Sequence, residues 1–410
     1  MLHCSAMRKF TALLLVLSSV FAVAQDKPKV RAITAFVRIT PADYESKTAD
    51  ALKMLRGAKA AYEQHGYTVE SIRITTNPYP QIVKGMSQSD ALAFLQKFDA
   101  LAQRENFDPN IGPALMHDSD AMESVELLKQ ILCHTKTLES SIIVADQDGI
   151  HWKSVNAAAD VVKYVSEHSE HSQGNFNFTA TAMLAPYAPF FPGAYHDGPG
   201  GDFSIGLEGA SVVQSVFANT TIAKASEQLT SALAKYAIEC EGIAKEVAKS
   251  TGWNYRGLDP TPAPLADVSI GTAIESLIHG KFGSSGTMTA ASIITQAVKA
   301  VPVQQVGYSG LMVPVLEDSR LAQRWSEGTL NVDDALAYSA VCGTGLDTIP
   351  LPGDITQQQL AAMIGDMASL AWKWKKPLSA RLQPVAGKKA GDRTEFNDPF
   401  LTNAVLQRLP

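Results

Sequence analysis

The chain has 410 residues, with 35 Lys and Arg against 41 Asp and Glu, a formal net charge of −6, and 46% hydrophobic residues. That length buries a sizeable core in one large domain or two ordinary ones. The charges are dispersed, and no Lys/Arg-rich run is interleaved with aromatics, so a nucleic-acid partner is not expected.

The N-terminus has the three-part layout of an export signal. Arg8 and Lys9 precede an uncharged run from Phe10 to Phe21, and Ala22-Val23-Ala24 supplies the small-x-small pattern of a cleavage site. The run is about 12 residues, too short for a ~30 Å hydrocarbon core. The expectation is a cleavable signal peptide over residues 1–24 and a periplasmic or secreted protein with no stable membrane insertion after cleavage. Cys133, Cys240 and Cys342 then remain. An odd number excludes a fully paired scaffold, and the spacing selects no pair.

From there strands and helices alternate. Val30 to Ile39 (VRAITAFVRI) is rich in β-branched residues and predicts a first strand. Between about Ala42 and Gly66, residues Leu52, Leu55, Ala58 and Tyr62 recur every three or four positions, which predicts a helix. Tyr67 to Thr75 predicts a second strand, and this order favours parallel pairing through a right-handed crossover. The pattern continues with a helix over about 118–137, a strand over 141–146, a helix over 154–169, a strand over 176–183 and a long helix from about Thr221 to Ser250, with Cys240 in its apolar stripe. Segments at 301–306 and 310–315 follow, then helices near 333–339 and 356–375. With no fixed-period repeat, the alternation predicts one α/β domain over residues 25–410, a closed or strongly curved barrel. The Pro/Gly/Lys-rich tail from about 377 is expected to wrap its surface.

Two loops place polar groups among glycines and prolines. The first runs from Ala188 through Tyr195, His196, Asp197 and Asp202 to Glu208. Its composition predicts a surface, lid or pocket-wall position, because its backbone groups would lie unpaired in a core. His196 can serve as a general base near neutral pH; the alternative is an ordinary loop histidine. The second loop holds Cys342-Gly343-Thr344-Gly345 and Asp347. Closely spaced glycines let backbone N–H groups converge on an anion, and such donors push a thiol toward thiolate; the alternative is a small residue packed at a tight turn. The loop carboxylates Glu208, Asp259, Asp267, Glu275, Glu317, Asp318, Asp347 and Asp354 would, where several converge, suit Mg²⁺ or Ca²⁺ or a general acid/base pair. His168 and His171 read as a solvated helix end. HExxH, a phosphate-binding P-loop and a complete dinucleotide fingerprint are absent.

The blocks NFTATAML, PFFPGAYHDG, FSIGLEGA, GLDPTPAP, SIGTAIE, GLMVPVLED, YSAVCGTGLDTIPLPGD and KPLSARLQPVAGKKAGD resemble, in order, those of the domain-of-unknown-function 711 family. The resemblance runs from VRAITAFVRI onward, with CGTGLD and PFFPxAYH the most specific blocks. It implies a fold similar to the ten-stranded α/β barrel of pyruvate formate-lyase-like glycyl radical enzymes. It implies no reaction. Members of that family look cytoplasmic, so a signal peptide is a departure. The radical-bearing C-terminal glycine block of those enzymes is not present, and radical machinery is not expected.

The leading expectation is an enzyme of hydrolase, lyase or isomerase type acting on a small polar substrate in the barrel mouth, with no organic cofactor. Cys342, His196, Glu208 and Asp347 are the candidate catalytic residues, and Tyr195, Asp259, Gly343, Thr344 and Gly345 the candidate substrate contacts. The alternative is a non-catalytic metabolite- or cation-binding protein using the same pocket. A homo-oligomer is left open. The discriminator is geometric: direct proton transfer needs Cys342, His196 and Asp347 around one cavity.

Overall fold

The computed structural model describes residues 27–409. The expected signal peptide lies outside them. Ten strands form one mixed sheet: β1 (Lys29–Val37), β2 (Val69–Thr76), β3 (Asp108–Pro113), β4 (Glu139–Asp146), β5 (Gly149–Ile150), β6 (Phe178–Ala182), β7 (Gly200–Glu208), β8 (Asn254–Asp259), β9 (Gly345–Pro352) and β10 (Leu378–Val385). The strand order is β8-β7-β1-β2-β3-β4-β6-β10-β9, with the short β5 paired only to β4. β1, β2, β3, β4 and β6 run parallel; β7 and β10 pair antiparallel with β1 and β6. The crossover helices between parallel strands are those the sequence periodicity predicts, such as Tyr44–Gln64 between β1 and β2 and Trp152–His168 between the β4–β5 hairpin and β6.

The sheet curls into a barrel-like shell but does not close as a ladder. Its two end strands, β8 and β9, are joined instead by the irregular segment 304–315. Leu258 donates to the Gln304 carbonyl at 2.8 Å on one side, and Val315 donates to the Asp347 carbonyl at 3.0 Å on the other. β9 tolerates Pro350 and Pro352 because its second side is bridged only at Asp347, so past that point the missing N–H groups break no second ladder.

Outward-facing residues such as Ile33, Ala35, Val37, Ile142 and Val144 pack under the helices in the main core. The inward face carries small polar residues, among them Thr34, Thr75, Ser141, Thr179 and Thr181. A second apolar cluster fills the axis: Leu184, Ala188, Phe190, Ala263, Tyr308 and Met312.

Two expectations are corrected here. Of the surface, lid and pocket-wall positions expected for the loop at 188–196, the structure overturns the first and bears out the last: the loop plugs the barrel, and Phe190 and Phe191 line its interior hollow. It touches strands on several sides at once: Thr34 of β1 donates to the Pro189 carbonyl at 2.8 Å, Asn110 of β3 donates to the Pro192 carbonyl at 2.6 Å, and Phe190 lies over Gly206 of β7. Burial is tolerated because Pro189 and Pro192 have no N–H to satisfy, and side chains of the wall donate to the carbonyls. The C-terminal stretch is likewise not a surface wrap from residue 377. Residues 378–385 are the fully buried strand β10, paired with both β6 and β9; the extended course begins only after it.

Candidate functional site

Charged side chains gather at one end of the barrel, where the amino ends of β1 to β4 meet the carboxyl end of β7. A chamber of about 570 Å³ opens there, lined by Arg31, Arg73 and Arg381, by Glu70, Asp108, Glu139, Glu317, Asp347 and Asp398, and by Phe176, Phe190, Phe191 and Phe400. A smaller hollow of about 480 Å³, between Gly328, Asn331 and Gln407, has no comparable set of buried charges.

Backbone irregularity aims one of the arginines. In β1, strict alternation would send Arg31 outward with Ile33 and Ala35. The pairing with β7 slips between Val30 and Ala32, placing Arg31 in a bulge that re-aims it into the chamber. Arg381 faces inward by plain alternation, between the core-facing Ala380 and Leu382, and an extra residue on β9 sets both Asp347 and Thr348, the latter at φ +45°, opposite it. A further slip, between Asn110 and Pro113, adjoins Glu139 on β4.

Most of the charges are spoken for. Lys29 pairs with Glu70 at 2.8 Å and with Glu208 at 3.4 Å, and Arg31 pairs with Glu70, Glu208 and Glu317 at 3.1, 3.3 and 3.4 Å. Arg381 continues the chain to Glu317 at 2.8 Å and to Asp347 at 3.3 Å. The network thus ties β2, β1 and β7 to β9 and β10 across the seam. Burial and the neighbouring Glu70 lift Glu208, while hydrogen bonds from Glu208 and Lys29 and the charge of Arg31 outweigh burial and lower Glu70. Burial also lifts Asp347, against the pull of Arg381.

Two groups differ. Arg73 lies over the Phe191 ring, its Cζ 5.0 Å from the centroid. Its Nε donates to Ser71 Oγ at 2.8 Å and stands 3.6 Å from Asp108, while its two terminal nitrogens have no partner among the described residues. Glu139 accepts no hydrogen bond among them. Burial lifts its carboxyl to about 8, with the positive charge of Arg73 opposing the rise and the negative charge of Asp108 reinforcing it. A half-buried cation with an unfilled fork therefore shares the chamber with a carboxyl that burial pushes up to about 8.

The residues singled out from sequence are dispersed. Asp347 lines the chamber. Glu208 stands just behind it, against Arg31. Thr344 borders a void of about 20 Å³ that shares Asp347 and Arg381 with the chamber. His196 lies at the other end of the barrel, its Nε2 3.2 Å from the Val37 carbonyl and its ring edge-on to Phe36; Arg31 and Val37 are separated along β1 by about 20 Å at ~3.3 Å per residue. Burial lowers the His196 pKa and keeps the ring neutral. Tyr195 donates its hydroxyl to the Leu184 carbonyl at 3.0 Å and holds the plug together. Cys342 is buried in the main core and does not line the chamber. The Gly343 N–H is consumed by the Leu311 carbonyl at 2.7 Å, so it is not free to bind an anion. Gly343 is required by packing, since a Cβ there would stand 2.6 Å from the Gly310 Cα; Gly345 sits at φ +93° against β10. Asp259 accepts from Thr261 and from the Tyr308 and Ser309 N–H groups and fastens the 307–309 turn to β8. Two other loop carboxylates also have partners: Asp318 accepts from Ser269 and four backbone N–H groups, and Glu275 pairs with Arg324 at 2.5 Å. Cys342, His196 and Asp347 therefore share no cavity.

Sequence reasoning missed Arg73, Glu139, Arg31 and Arg381. The available signal was a charge at an inward position of a buried strand, as in SIRITT and LSARLQPV.

Fold and chamber together define an α/β barrel-like protein whose interior end is lined by arginines and carboxylates. The chain belongs to the family described as Uncharacterised ACR (DUF711), which matches residues 22–397. A UPF0210 protein of Pyrobaculum aerophilum is 30% identical over 407 residues, covering 92% of this chain and 90% of that one. UPF0210 proteins of Carboxydothermus hydrogenoformans and Leuconostoc mesenteroides are 28% and 27% identical, covering 84% and 88% of this chain and 80% and 84% of theirs. Among solved structures, the anaerobic ribonucleotide reductase from Thermotoga maritima in complex with dATP and CTP is similar at a TM-score of 0.38 and 7% identity, over 86% of this chain and 75% of that one. A likeness of that size carries no inference about activity.

Proposed function

We propose that the protein is an enzyme acting on a small anionic substrate, one bearing a carboxylate or phosphate, with Arg73 gripping the anion and Glu139 delivering a proton to the reacting part. The observation that carries this reading is the unfilled guanidinium fork of Arg73 sharing the chamber with Glu139, whose carboxyl burial pushes up to about 8. An arginine fork matches a carboxylate or phosphate in two parallel hydrogen bonds. Binding the anion neutralises Arg73, the charge that most opposes the rise of Glu139, so the carboxyl holds its proton more tightly in the complex and acts as a general acid. A lyase or isomerase that protonates a carbanion, enolate or leaving group next to an anionic anchor fits this pair best. Export through the sequence at residues 1–24 would place the reaction in the periplasm or outside the cell.

The test is a thermal-shift screen of small mono- and dicarboxylates, phosphorylated acids and their neutral analogues, followed by calorimetry in buffers of different ionisation enthalpy. Anions are expected to stabilise the wild type, not Arg73→Met, and to bind with proton uptake near pH 8. The hits are then incubated in deuterium oxide and followed by proton NMR. Exchange or turnover lost in Glu139→Gln supports catalysis. A ligand recovered unchanged makes the chamber a capture site, and indifference to every anion removes the proposal.

A further inference from the structure

The far end of the barrel holds a second constellation that the chamber does not use. Asp146 is the last residue of β4, seven residues or about 23 Å along the strand from Glu139. His151 follows the β4–β5 hairpin and caps the helix Trp152–His168, and His117 comes from the loop after β3. His151 Nε2 lies 3.2 Å from one oxygen of Asp146, and His117 Nδ1 lies 3.4 Å from the other. The two rings are 5.7 Å apart, and one donor atom from each of the three residues falls within 4.8 Å of the others.

The geometry points to a three-ligand site for a divalent first-row transition ion, with Zn²⁺ the reference occupant. Ligand spacing is the first argument. Two donors each about 2.0–2.1 Å from a tetrahedral ion are about 3.3 Å apart, which is the His–Asp spacing found here. The second argument is burial of a ligand atom's carrier: His151 is buried, and it is its Nε2, rather than the partnerless Nδ1, that faces Asp146.

Preorganisation is the third argument. The His151 N–H donates to the Val144 carbonyl at 2.9 Å, and the Asp148 N–H donates to Asp146 at 2.8 Å, so hairpin geometry fixes two of the ligands. Asp120 accepts from the Met116 and His117 N–H groups and shapes the loop that carries the third. Asp118 accepts from the Lys153 and Ser154 N–H groups and joins that loop to the same helix. Asp118, Asp120 and Asp148 surround the cluster with negative charge, and Lys153 is the cation close by in sequence. Two imidazoles and one carboxylate select Zn²⁺ or a neighbouring transition ion over Mg²⁺ or Ca²⁺, which prefer all-oxygen shells. His117 is half exposed, so the remaining coordination position faces solvent. The ion would clip the loop after β3 to the β4 hairpin and present an open position there.

The experiment uses the whole protein, stripped with a chelator and dialysed against Zn²⁺, with metal per chain read by elemental mass spectrometry. One ion per chain is expected, and Co²⁺ in its place should give the intense visible absorption of a tetrahedral site. His117→Ala removes a side chain that holds nothing else, so its metal-free Tm should match the wild type while its affinity falls by more than the ~10–100-fold usual for an outer-shell partner. His151→Gln should weaken binding at least as much. No saturable uptake, or uptake unchanged in His117→Ala, would overturn the assignment. Anion binding in the chamber should persist in the stripped protein, so the two sites are read separately.

Discussion

Glu139→Gln tests the electrostatics of the chamber directly. Glutamine keeps the shape of a protonated carboxyl and cannot ionise. In the wild type, burial raises the Glu139 pKa from 4.5 to about 8. A group whose folded pKa lies above its unfolded one contributes stability that is fully present below the unfolded value and is lost as pH rises through the folded value. The window therefore runs from about 4.5 to 8. A rise of about 3.5 units at about 1.4 kcal/mol each sets a ceiling of about 5 kcal/mol, and water in the chamber brings the expected loss to about 2–4 kcal/mol. Unfolding free energies from urea melts at pH 5 to pH 9 should fall by that much more in the wild type than in the variant, at an unchanged m-value. Asp347 and Glu208 contribute equally to both proteins, so the difference isolates Glu139. Parallel pH curves would refute burial of an ionisable carboxyl at this position.

Two further outcomes follow from the placement of other residues. Cys342→Ala should leave anion binding in the chamber within about twofold while costing about 1–2 kcal/mol of stability for the small cavity it leaves; titration of a chamber ligand and a urea melt check both, and abolished binding would show that the thiol reaches the chamber. Thr34→Val removes the donor to the buried Pro189 carbonyl and should destabilise by about 1–3 kcal/mol, with increased proteolysis near the plug, whereas an unchanged melt would mean that water replaces the hydroxyl.

The repeating part of the fold was legible where local pattern and tertiary role agree. β1, the helix after it, β2 and the long helix Ile222–Thr251 follow from periodicity, because each buries one face against one partner. β7 and β9 were read as loops because glycine and proline dominate GGDFSIGLE and GLDTIPLP. In the structure Gly206 leaves room for Phe190, and the prolines of β9 fall beyond Asp347, where the strand has a single ladder. The plug was misjudged for a related reason: a segment poor in N–H donors needs few partners inside a barrel.

The site was harder to read. Arg31 has outward parity in sequence, and only a slip against β7, more than 170 positions away, turns it inward. Arg73, Glu139 and Arg381 belong to three strands with no local spacing to connect them. Asp347 was found because it sits in an unusual glycine-rich context, although that context reflects backbone packing against Gly310. The Cys342 and His196 contexts are unusual for the same kind of reason and lie away from the chamber.

Phe190 and Phe191 project from the plug into the chamber and form its floor. The barrel is therefore a blind vessel rather than a passage. A molecule in the chamber leaves by the mouth through which its successor must enter, and the two cannot pass. If a reaction runs there, its product competes with substrate for one doorway, so product should inhibit competitively and turnover should follow the rate at which the mouth clears.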